Sequence, residues 1–265
     1  MTTLLRCHWL LALAVLASAC GKRAYAEPHA HGAGDAGADV AAPTPTDAIA
    51  HQLVPAPARG DGEPDMYHRF RIPVASTRIA FVDLQYRTPL IEALGAHTLV
   101  INGGYWAYAG RRRIIQGLLI VNGKRIAPFV PRAGGGVLAL RTDRAELVAA
   151  EDWQDEGSAQ LALQCKPRLV SRGAVVPKLE SQRRATRTAL CIRDDGRTLD
   201  AYLTDERLRP TLPELAAFLR AEGCTDALNL DGGPSTAAIF RRSGDTPLAV
   251  GVGFELPYGL GFSPR

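Results

Sequence analysis

The sequence predicts one folded domain made mainly of antiparallel β-sheet with few helices, and three observations support this prediction. Short runs rich in β-branched and aromatic residues recur along the chain, each bounded by Gly, Asn, Asp or Pro, which is typical of strands and hairpins. Asn122-Gly123 and Asp195-Gly196 are strong hairpin turns, because both central residues of a type I′ turn need positive φ. Residues 211–223 carry the signals of a single capped helix.

The first 19 residues are predicted to be a signal peptide with a lipobox. Residues 9–17 (WLLALAVLA) form an apolar stretch that follows a positive charge and is too short for a membrane span. The sequence LASACGK resembles the bacterial lipobox and makes Cys20 the lipidated residue, although Leu16 lies one position earlier than usual. We expect an exported, membrane-anchored lipoprotein on the periplasmic or cell-surface side, with an ordinary soluble export signal as the alternative.

Residues 20–66 are predicted to be a disordered linker, and residues 67–265 the folded domain. The linker is rich in Ala, Gly, Pro, His and Asp, so it lacks the apolar side chains needed to offset the entropy of ordering. His29 and His31 are expected to be solvated linker residues.

The charge pattern argues against a nucleic-acid partner. The net charge of +4 comes from Lys and Arg spread along the chain, without zinc-finger spacing or a basic heptad region. This distribution is mildly favourable for an anionic substrate.

Predicted strands and one helix follow each other through the domain. The helix begins with Thr211 and Glu214 at capping-box spacing and ends at Gly223. It is followed by an apolar run that leads to Asp231 at a strand end. The strands are expected in residues 78–86, 97–106, 117–126, 136–142 and 188–192.

Two apolar runs end in a polar residue followed by two glycines. LNLDGGPST ends its run at Asp231, and LVINGGYW ends its run at Asn102. Glycines let backbone N–H groups approach a ligand, and the Asn102 amide can donate to an anion or a sugar hydroxyl. The plain alternative is that both segments are only bends.

The same residues carry a resemblance to a known family. In order, INGGYW, QGLLIVNGK, RRATRTALCI, TLPELAAFLRAEGCTDALNLDGGPST and LPYGLGFSPR are similar to the phosphodiester glycosidase domain family, over about residues 69–265. The resemblance implies an α+β domain with mixed sheets, whose loops gather these motifs into one cleft. It also implies hydrolysis of a sugar 1-phosphodiester between the anomeric carbon and the phosphate oxygen.

This chemistry suggests roles for particular residues. A carboxylate near the anomeric carbon stabilises an oxocarbenium-like transition state, and Asp231 fits this role. The departing phosphate needs a cation or N–H donors, and Arg187 fits that role, with Arg184 as a second candidate. Asn102 completes the predicted catalytic set. The predicted substrate-binding residues are Gly103, Gly104, Tyr105, Trp106, Gly232, Gly233, Ser235 and Thr236.

Several alternatives stay open at this level. Arg187 could instead belong to a solvated strand edge. Pro234 and Trp106 depart from the family pattern, where Gly and Phe are usual, and both changes bear on the substrate. No cofactor is predicted, and a divalent cation held by Asp231 and backbone oxygens stays open.

The domain contains three cysteines, and export permits a disulfide between two of them. The candidates are Cys165, Cys191 and Cys224, and the sequence does not decide which two pair.

Two function classes remain for this sequence. The first is a hydrolase acting on a glycosyl-1-phosphodiester in a cell-surface or exported glycan, with a sugar phosphate or polysaccharide as substrate. The second is a non-catalytic carbohydrate-binding lipoprotein in exopolysaccharide assembly or export.

Overall fold

A computed structural model describes residues 48–58, 63–85, 88–155, 157–180, 182–242, 244, 246–251 and 256–265. All of them belong to one compact unit that spans residues 42–265. The predicted signal peptide, Cys20, His29, His31 and the linker up to residue 47 lie outside the described residues. Within the described residues, no helix has the length and apolar character needed to cross a membrane.

Strands dominate the described residues, with one α-helix among them. The helix is α1 (Leu212–Ala221). The strands are β1 (Ala50–Pro55), β2 (Met66–Pro73), β3 (Thr77–Asp83), β4 (Leu99–Asn102), β5 (Trp106–Ala109), β6 (Arg112–Ile115), β7 (Leu119–Val121), β8 (Lys124–Ala127), β9 (Gly136–Leu140), β10 (Ala145–Ala149), β11 (Leu161–Cys165), β12 (Arg168–Ser171), β13 (Ala174–Val175), β14 (Thr188–Arg193), β15 (Thr198–Thr204), β16 (Asp226–Asn229), β17 (Ala237–Phe240), β18 (Leu248–Gly251) and β19 (Tyr258–Pro264).

The strands form three large sheets and one separate hairpin. Sheet 1 has the order β1-β2-β15-β14-β16-β12-β13, sheet 2 the order β10-β9-β11-β7-β8, and sheet 3 the order β18-β17-β4-β19-β3. The hairpin consists of β5 and β6. Every pairing among the described strands is antiparallel. The predicted mostly antiparallel sheets are therefore confirmed, whereas the α+β label fits only loosely because one ten-residue helix accompanies so many strands.

The middle of sheet 1 is buried on both faces, and alternate residues of β14 show why. Leu190 and Ile192 join the central core together with residues of sheets 2 and 3. Ala189 and Cys191 point to the opposite face, where they pack with α1. Successive side chains of a strand point to opposite faces, so a strand covered on both sides must be apolar throughout.

The helix and the two-residue Asn122-Gly123 turn form as predicted, whereas the Asp195-Gly196 hairpin has a four-residue loop, because Arg193 pairs with Thr198. Glu214 N–H donates to Thr211 Oγ1 at 3.4 Å and Thr211 N–H donates to Glu214 Oε2 at 2.8 Å, which makes a capping box. The left-handed φ values at Asn122 (52°), Gly123 (71°) and Gly196 (90°) match the tight turns.

The upstream boundary of the domain differs from the prediction. Residues 50–55 lie in the predicted linker but form β1, which pairs along its whole length with β2. Val54 on this strand is buried against the cluster that contains α1. The segment gains its order from this pairing with distant residues, which local composition does not reveal.

The disulfide joins Cys191 of β14 to Cys224, which follows α1, with the Cα atoms 5.5 Å apart. It ties the helix to sheet 1. Cys165 is free and buried.

Candidate functional site

Asn102 joins the two predicted strand ends into one site. It is the last residue of β4 in sheet 3, and its Nδ2 donates to the carbonyl oxygen of Asp231 at 2.9 Å and to that of Gly103 at 3.1 Å. Its Oδ1 accepts from Thr188 Oγ1 at 2.7 Å and from Ala237 N–H at 3.2 Å. The side chain is 0% exposed, and these four bonds use the full capacity of an amide. Asn102 therefore positions the site, and the predicted contact with a ligand does not fit the structure.

Asp231 lies just beyond β16, at the junction that Asn102 makes. Its carboxylate accepts from Gly232 N–H at 2.9 Å and from the Ser235 side chain. Burial raises the pKa of Asp231 above its ordinary value, while Ser235, Gly232 and the charge of Arg183 oppose this rise. Asp231 forms no ion pair with any residue that the structure describes. It is a half-buried carboxylate held by neutral donors.

Tyr105 brings a neutral donor to the same place. Its hydroxyl accepts from Asn229 Nδ2 at 3.2 Å. Burial raises the pKa of Tyr105 to about 12, helped by Cys165 and Asp231 and opposed by Arg187 and the bond from Asn229. The phenol therefore keeps its proton near neutral pH and can donate it to a bound oxygen.

Arg187 directly precedes β14 and is 9% exposed, so it does not belong to a solvated strand edge. Its Nε donates to Pro210 O at 3.2 Å and its Nη2 to Arg183 O at 2.7 Å. Burial lowers the pKa of Arg187, against the effect of Tyr105. Arg184, the second candidate, is exposed and forms a bidentate pair with Glu214 at 2.8 and 2.9 Å, which occupies its guanidinium.

Packing requires the first glycine of the first pair, Gly103. A Cβ on Gly103 would lie 2.2 Å from Cε2 of Tyr258. The Gly104 N–H donates to Tyr258 Oη at 2.8 Å. Both glycines are buried, and their predicted role in substrate binding stays a prediction.

The second glycine pair shapes the turn that holds Asp231. A Cβ on Gly232 would lie 2.9 Å from the carbonyl oxygen of Thr186, and Gly233 has a φ of +61° that favours glycine. The Gly233 N–H donates to Thr186 O at 2.8 Å, and Thr186 Oγ1 donates to Gly233 O at 2.7 Å. Pro234, which follows, is exposed.

Two clefts border these residues. The Tyr105 cleft holds about 490 Å³, and the Pro234 cleft about 370 Å³. Neither lining includes Asp231 or Trp106, although Tyr105, which precedes Trp106, and Gly233 and Pro234, two and three residues after Asp231, line them. The Tyr105 cleft is lined by Tyr105, Gly135, Glu151, Lys166, Pro167, Arg168, Val176, Pro177, Lys178, Leu179, Glu180 and Leu212. The Pro234 cleft is lined by Arg183, Arg184, Ala185, Thr186, Glu206, Arg209, Gly233, Pro234 and Thr236.

The predicted substrate-binding residues thus divide by position. Ser235 is buried and donates to Asp231, whereas Thr236 lines the Pro234 cleft with its buried hydroxyl unpartnered. Trp106 begins the β5–β6 hairpin. Within the described part of the chain, no group of three or more His, Cys, Asp or Glu side chains is placed to hold a metal.

Sequence reasoning missed three residues of the site. Arg183 lies close enough to Asp231 to affect its pKa, but nothing in RRATRT distinguishes it from its neighbours. Asn229 stands two positions before Asp231 in NLDGG, and its spacing could have drawn attention. Tyr258 lies in the family segment LPYGLGFSPR, but nothing local indicates that it reaches Gly104.

Comparisons with known proteins are consistent with this geometry. The family model described as phosphodiester glycosidase matches residues 96–262. A hypothetical protein from Synechocystis superposes with a TM-score of 0.61 at 13% identity, covering 82% of this chain and 62% of that chain. The catalytic domain of zebrafish N-acetylglucosamine-1-phosphodiester alpha-N-acetylglucosaminidase, auto-inhibited by its pro-peptide, gives a TM-score of 0.55 at 15% identity, covering 82% of this chain and 83% of that chain. At these identities the structural likenesses show the fold alone. No curated protein matches the sequence.

Proposed function

The chain belongs to the phosphodiester glycosidase family, and we propose that it hydrolyses a glycosyl-1-phosphodiester linkage in an exported or cell-surface glycan. In this reaction the oxygen of water bonds to the anomeric carbon, and the bond from that carbon to the phosphate oxygen breaks. The phosphomonoester leaves with the bonding electrons, and the proton of water passes to solvent. The zebrafish protein of similar fold is named for an N-acetylglucosamine-1-phosphodiester, which supports this class of substrate.

The observation that carries the proposal is the state of Asp231. Its carboxylate is half-buried, held by Gly232 and Ser235, and without an ion pair among the described residues. A carboxylate neutralised by a guanidinium contact would have little charge to offer, whereas this one can stabilise positive charge at the anomeric carbon. We assign Asp231 to that role.

Arg187 is assigned to the phosphate. The two bonds to backbone carbonyls fix the plane of its guanidinium and use two of its five N–H groups. A fixed fork can bind phosphate oxygens bidentately with little further loss of entropy. Arg183, whose charge acts on both Asp231 and Arg187, adds a second cation. A phosphomonoester leaves readily once its charge is stabilised, so a general acid is not essential.

Tyr105 completes the site as a neutral donor. Because its pKa is raised to about 12, the phenol is protonated across the neutral range. It can donate to a sugar hydroxyl or to the bridging oxygen without adding charge.

The proposal is tested by incubating the purified protein with a panel of synthetic sugar-1-phosphodiesters and measuring the release of reducing sugar. We expect turnover of at least one member and loss of turnover in Asp231→Asn. Binding of a panel member without turnover would contradict the proposal and indicate a carbohydrate-binding protein instead.

The phosphate role is tested by Arg187→Lys. Lysine keeps the positive charge but loses the fork, so both the Kd for the phosphodiester and kcat should worsen, together by about tenfold or more. Arg184→Lys is the matched control, since Arg184 lies three residues away and is occupied by Glu214. If both substitutions changed Kd and kcat equally in proteins of unchanged Tm, the assignment of Arg187 to the phosphate would be wrong.

The proposed location is the outer side of a membrane, through lipidation of Cys20. In cells that process lipoproteins, Cys20→Ser should move the protein from the membrane fraction to the soluble exported fraction. Unchanged membrane association would contradict the lipid anchor without bearing on the reaction.

A further inference from the structure

The β5–β6 hairpin is a surface feature that the proposed reaction does not use. Its two strands pair only with each other among the described strands. Tyr108 is 63% exposed and Ile114 is 47% exposed, which is unusual for large apolar side chains near a polar turn. The hairpin has the sequence WAYAGRRRII over residues 106–115.

One face of the hairpin combines aromatic rings with a guanidinium. Tyr108 lies directly opposite Arg113 in the strand register, and Trp106 lies two residues before Tyr108 on the same face. The guanidinium carbon of Arg113 lies 5.0 Å from the Trp106 ring centroid and 5.2 Å from that of Tyr108. The two rings meet edge to face with centroids 5.3 Å apart. These contacts restrict the side chains before any ligand arrives.

The turn of the hairpin adds charge that is not neutralised. Arg111 and Arg112 are exposed and form no ion pair with any residue that the structure describes. Arg113 follows Arg112 on β6 and points to the aromatic face, whereas Arg112 points to the opposite face beside the turn. A concentration of positive charge beside aromatic rings fits an anionic partner that also offers apolar faces.

The hairpin starts at the edge of the Tyr105 cleft. Trp106 follows Tyr105 in the chain, and the base of the hairpin is closed by the Gln116 N–H, which donates to Tyr105 O at 2.8 Å. Four strand residues at roughly 3.3 Å each place the arginine turn about 13 Å along the strand from Tyr105. The cleft lining contains the cations Lys166, Arg168 and Lys178 and the carboxylates Glu151 and Glu180, so cations outnumber anions by one. Positive charge therefore occurs both in the cleft and on the hairpin that leads from it.

We propose that the β5–β6 hairpin binds the anionic glycan chain beyond the linkage being hydrolysed, so that the preferred substrate is a polymer of glycosyl phosphates rather than a small phosphodiester. This inference rests on the proposed function. Sugar rings stack on Tyr108 and Trp106, and phosphates further along the chain pair with Arg111 and Arg112. An anionic lipid surface would meet the same charges, but the continuity with the Tyr105 cleft favours the substrate chain.

The test compares two ligands in two variants. Binding of a linear poly(glycosyl phosphate) is measured in an Asp231→Asn background, so that the polymer stays intact, with neutral dextran as the ligand control. Arg111→Glu/Arg112→Glu should weaken polymer binding by about tenfold at low salt and less at high salt, because exposed charge pairs are screened. Tyr108→Ala should weaken binding by about threefold, since a stacking contact is lost. Lys124→Glu/Arg220→Glu, which alters exposed cations elsewhere by the same total charge, should leave binding unchanged.

A second measurement separates this inference from the proposed reaction. With Asp231 intact, the arginine double variant should hydrolyse a small sugar-1-phosphodiester within twofold of the unaltered protein. Polymer binding that is unaffected by the hairpin variants overturns the inference, whether or not hydrolysis occurs. Hairpin-dependent binding to vesicles of anionic lipid, with no hairpin-dependent binding to the polymer, also overturns it. Hairpin-dependent polymer binding by a protein that hydrolyses no phosphodiester supports the inference and contradicts the reaction alone.

Discussion

A buried and a half-buried aspartate in this protein have opposite surroundings. Asp200, in the middle of β15, is 0% exposed and lies 2.6 Å from Arg193 Nε and 3.3 Å from Arg71 Nε. Asp231, just beyond β16, accepts bonds from the Gly232 N–H and the Ser235 side chain and has no ion pair among the described residues. Both carboxylates have lost water, but only Asp200 is paired with cations in return.

The difference separates a structural charge from a reactive one. A carboxylate between two guanidinium groups contributes to the packing of sheet 1 and has little charge left for chemistry. A carboxylate held by neutral donors keeps its charge available, at a cost in stability that the raised pKa of Asp231 reflects. Substitution of Asp231 should therefore lower kcat, whereas substitution of Asp200 should lower the free energy of unfolding.

The largest expected effect is on the rate of Asp231→Asn. If the charge acts at the anomeric carbon, kcat should fall by about 10³-fold or more, while binding of a substrate analogue changes little. Near-normal turnover in this variant would refute the assignment.

The same variant should not be less stable at neutral pH. The folded pKa of Asp231 is raised, so its contribution to stability is present below the unfolded pKa and is lost as pH rises through the folded pKa. Asparagine cannot ionise, so the Tm of Asp231→Asn should equal or exceed that of the unaltered protein at pH 7. A large drop in Tm would mean that Asp231 is structural, like Asp200.

Asp200→Asn should show the reverse pattern. Removing one charge takes away the nearest ionic partner of the buried Arg193 and leaves it Glu222 at 3.7 Å, which should lower the free energy of unfolding by about 3 kcal/mol. The protein that remains folded should keep near-normal kcat. Denaturant unfolding and turnover per folded molecule, measured on one preparation, test this pattern.

Ser235→Ala should have a smaller effect, which appears in the pH dependence of kcat/KM. The Ser235 hydroxyl lowers the pKa of Asp231, so its loss raises that pKa further. If ionised Asp231 is the active form, the acidic limb of the kcat/KM profile should move to higher pH, with about a tenfold loss at the old midpoint. Ser235→Thr keeps a hydroxyl and should leave the limb in place. An unmoved limb in Ser235→Ala would separate Asp231 from the pH dependence.

Arg71→Gln should have the smallest effect. The Arg71 side chain is 47% exposed and Asp200 keeps Arg193, so the free energy of unfolding should change by no more than about 1 kcal/mol. If Arg71→Gln lowered the free energy of unfolding as much as Asp200→Asn does, Arg71 would be as important as Arg193 for stabilising the Asp200 carboxylate.

The regular elements of the fold were predictable because their signals are local. Thr211 and Glu214 predicted the helix start, and Asn122-Gly123 predicted a hairpin turn, each within four residues of sequence. The sequence places residues 50–55 in the linker, because the order of β1 depends on its pairing with β2. The positions of the two strand ends were also predictable, since each apolar run stops at a polar residue.

The site was only partly predictable because its roles depend on distant contacts. Asn102 looked like a ligand-binding amide until its bonds to Thr188, Asp231 and Ala237 were visible. Gly103 looked like an approach for a ligand, but the ring of Tyr258 occupies that space.

The sequence by itself determined the antiparallel strands, the capped helix, the family motifs and the placing of Asp231 at a strand end. Only the tertiary structure decided that Asp231 has no ion pair among the described residues whereas Asp200 has two, that Cys191 pairs with Cys224, and that Arg187 is buried. The physical reason is the separation along the chain of the residues that interact. Turns and caps are set by backbone preferences over a few residues, whereas burial, charge pairing and pKa depend on which distant groups the packed sheets bring within a few ångströms.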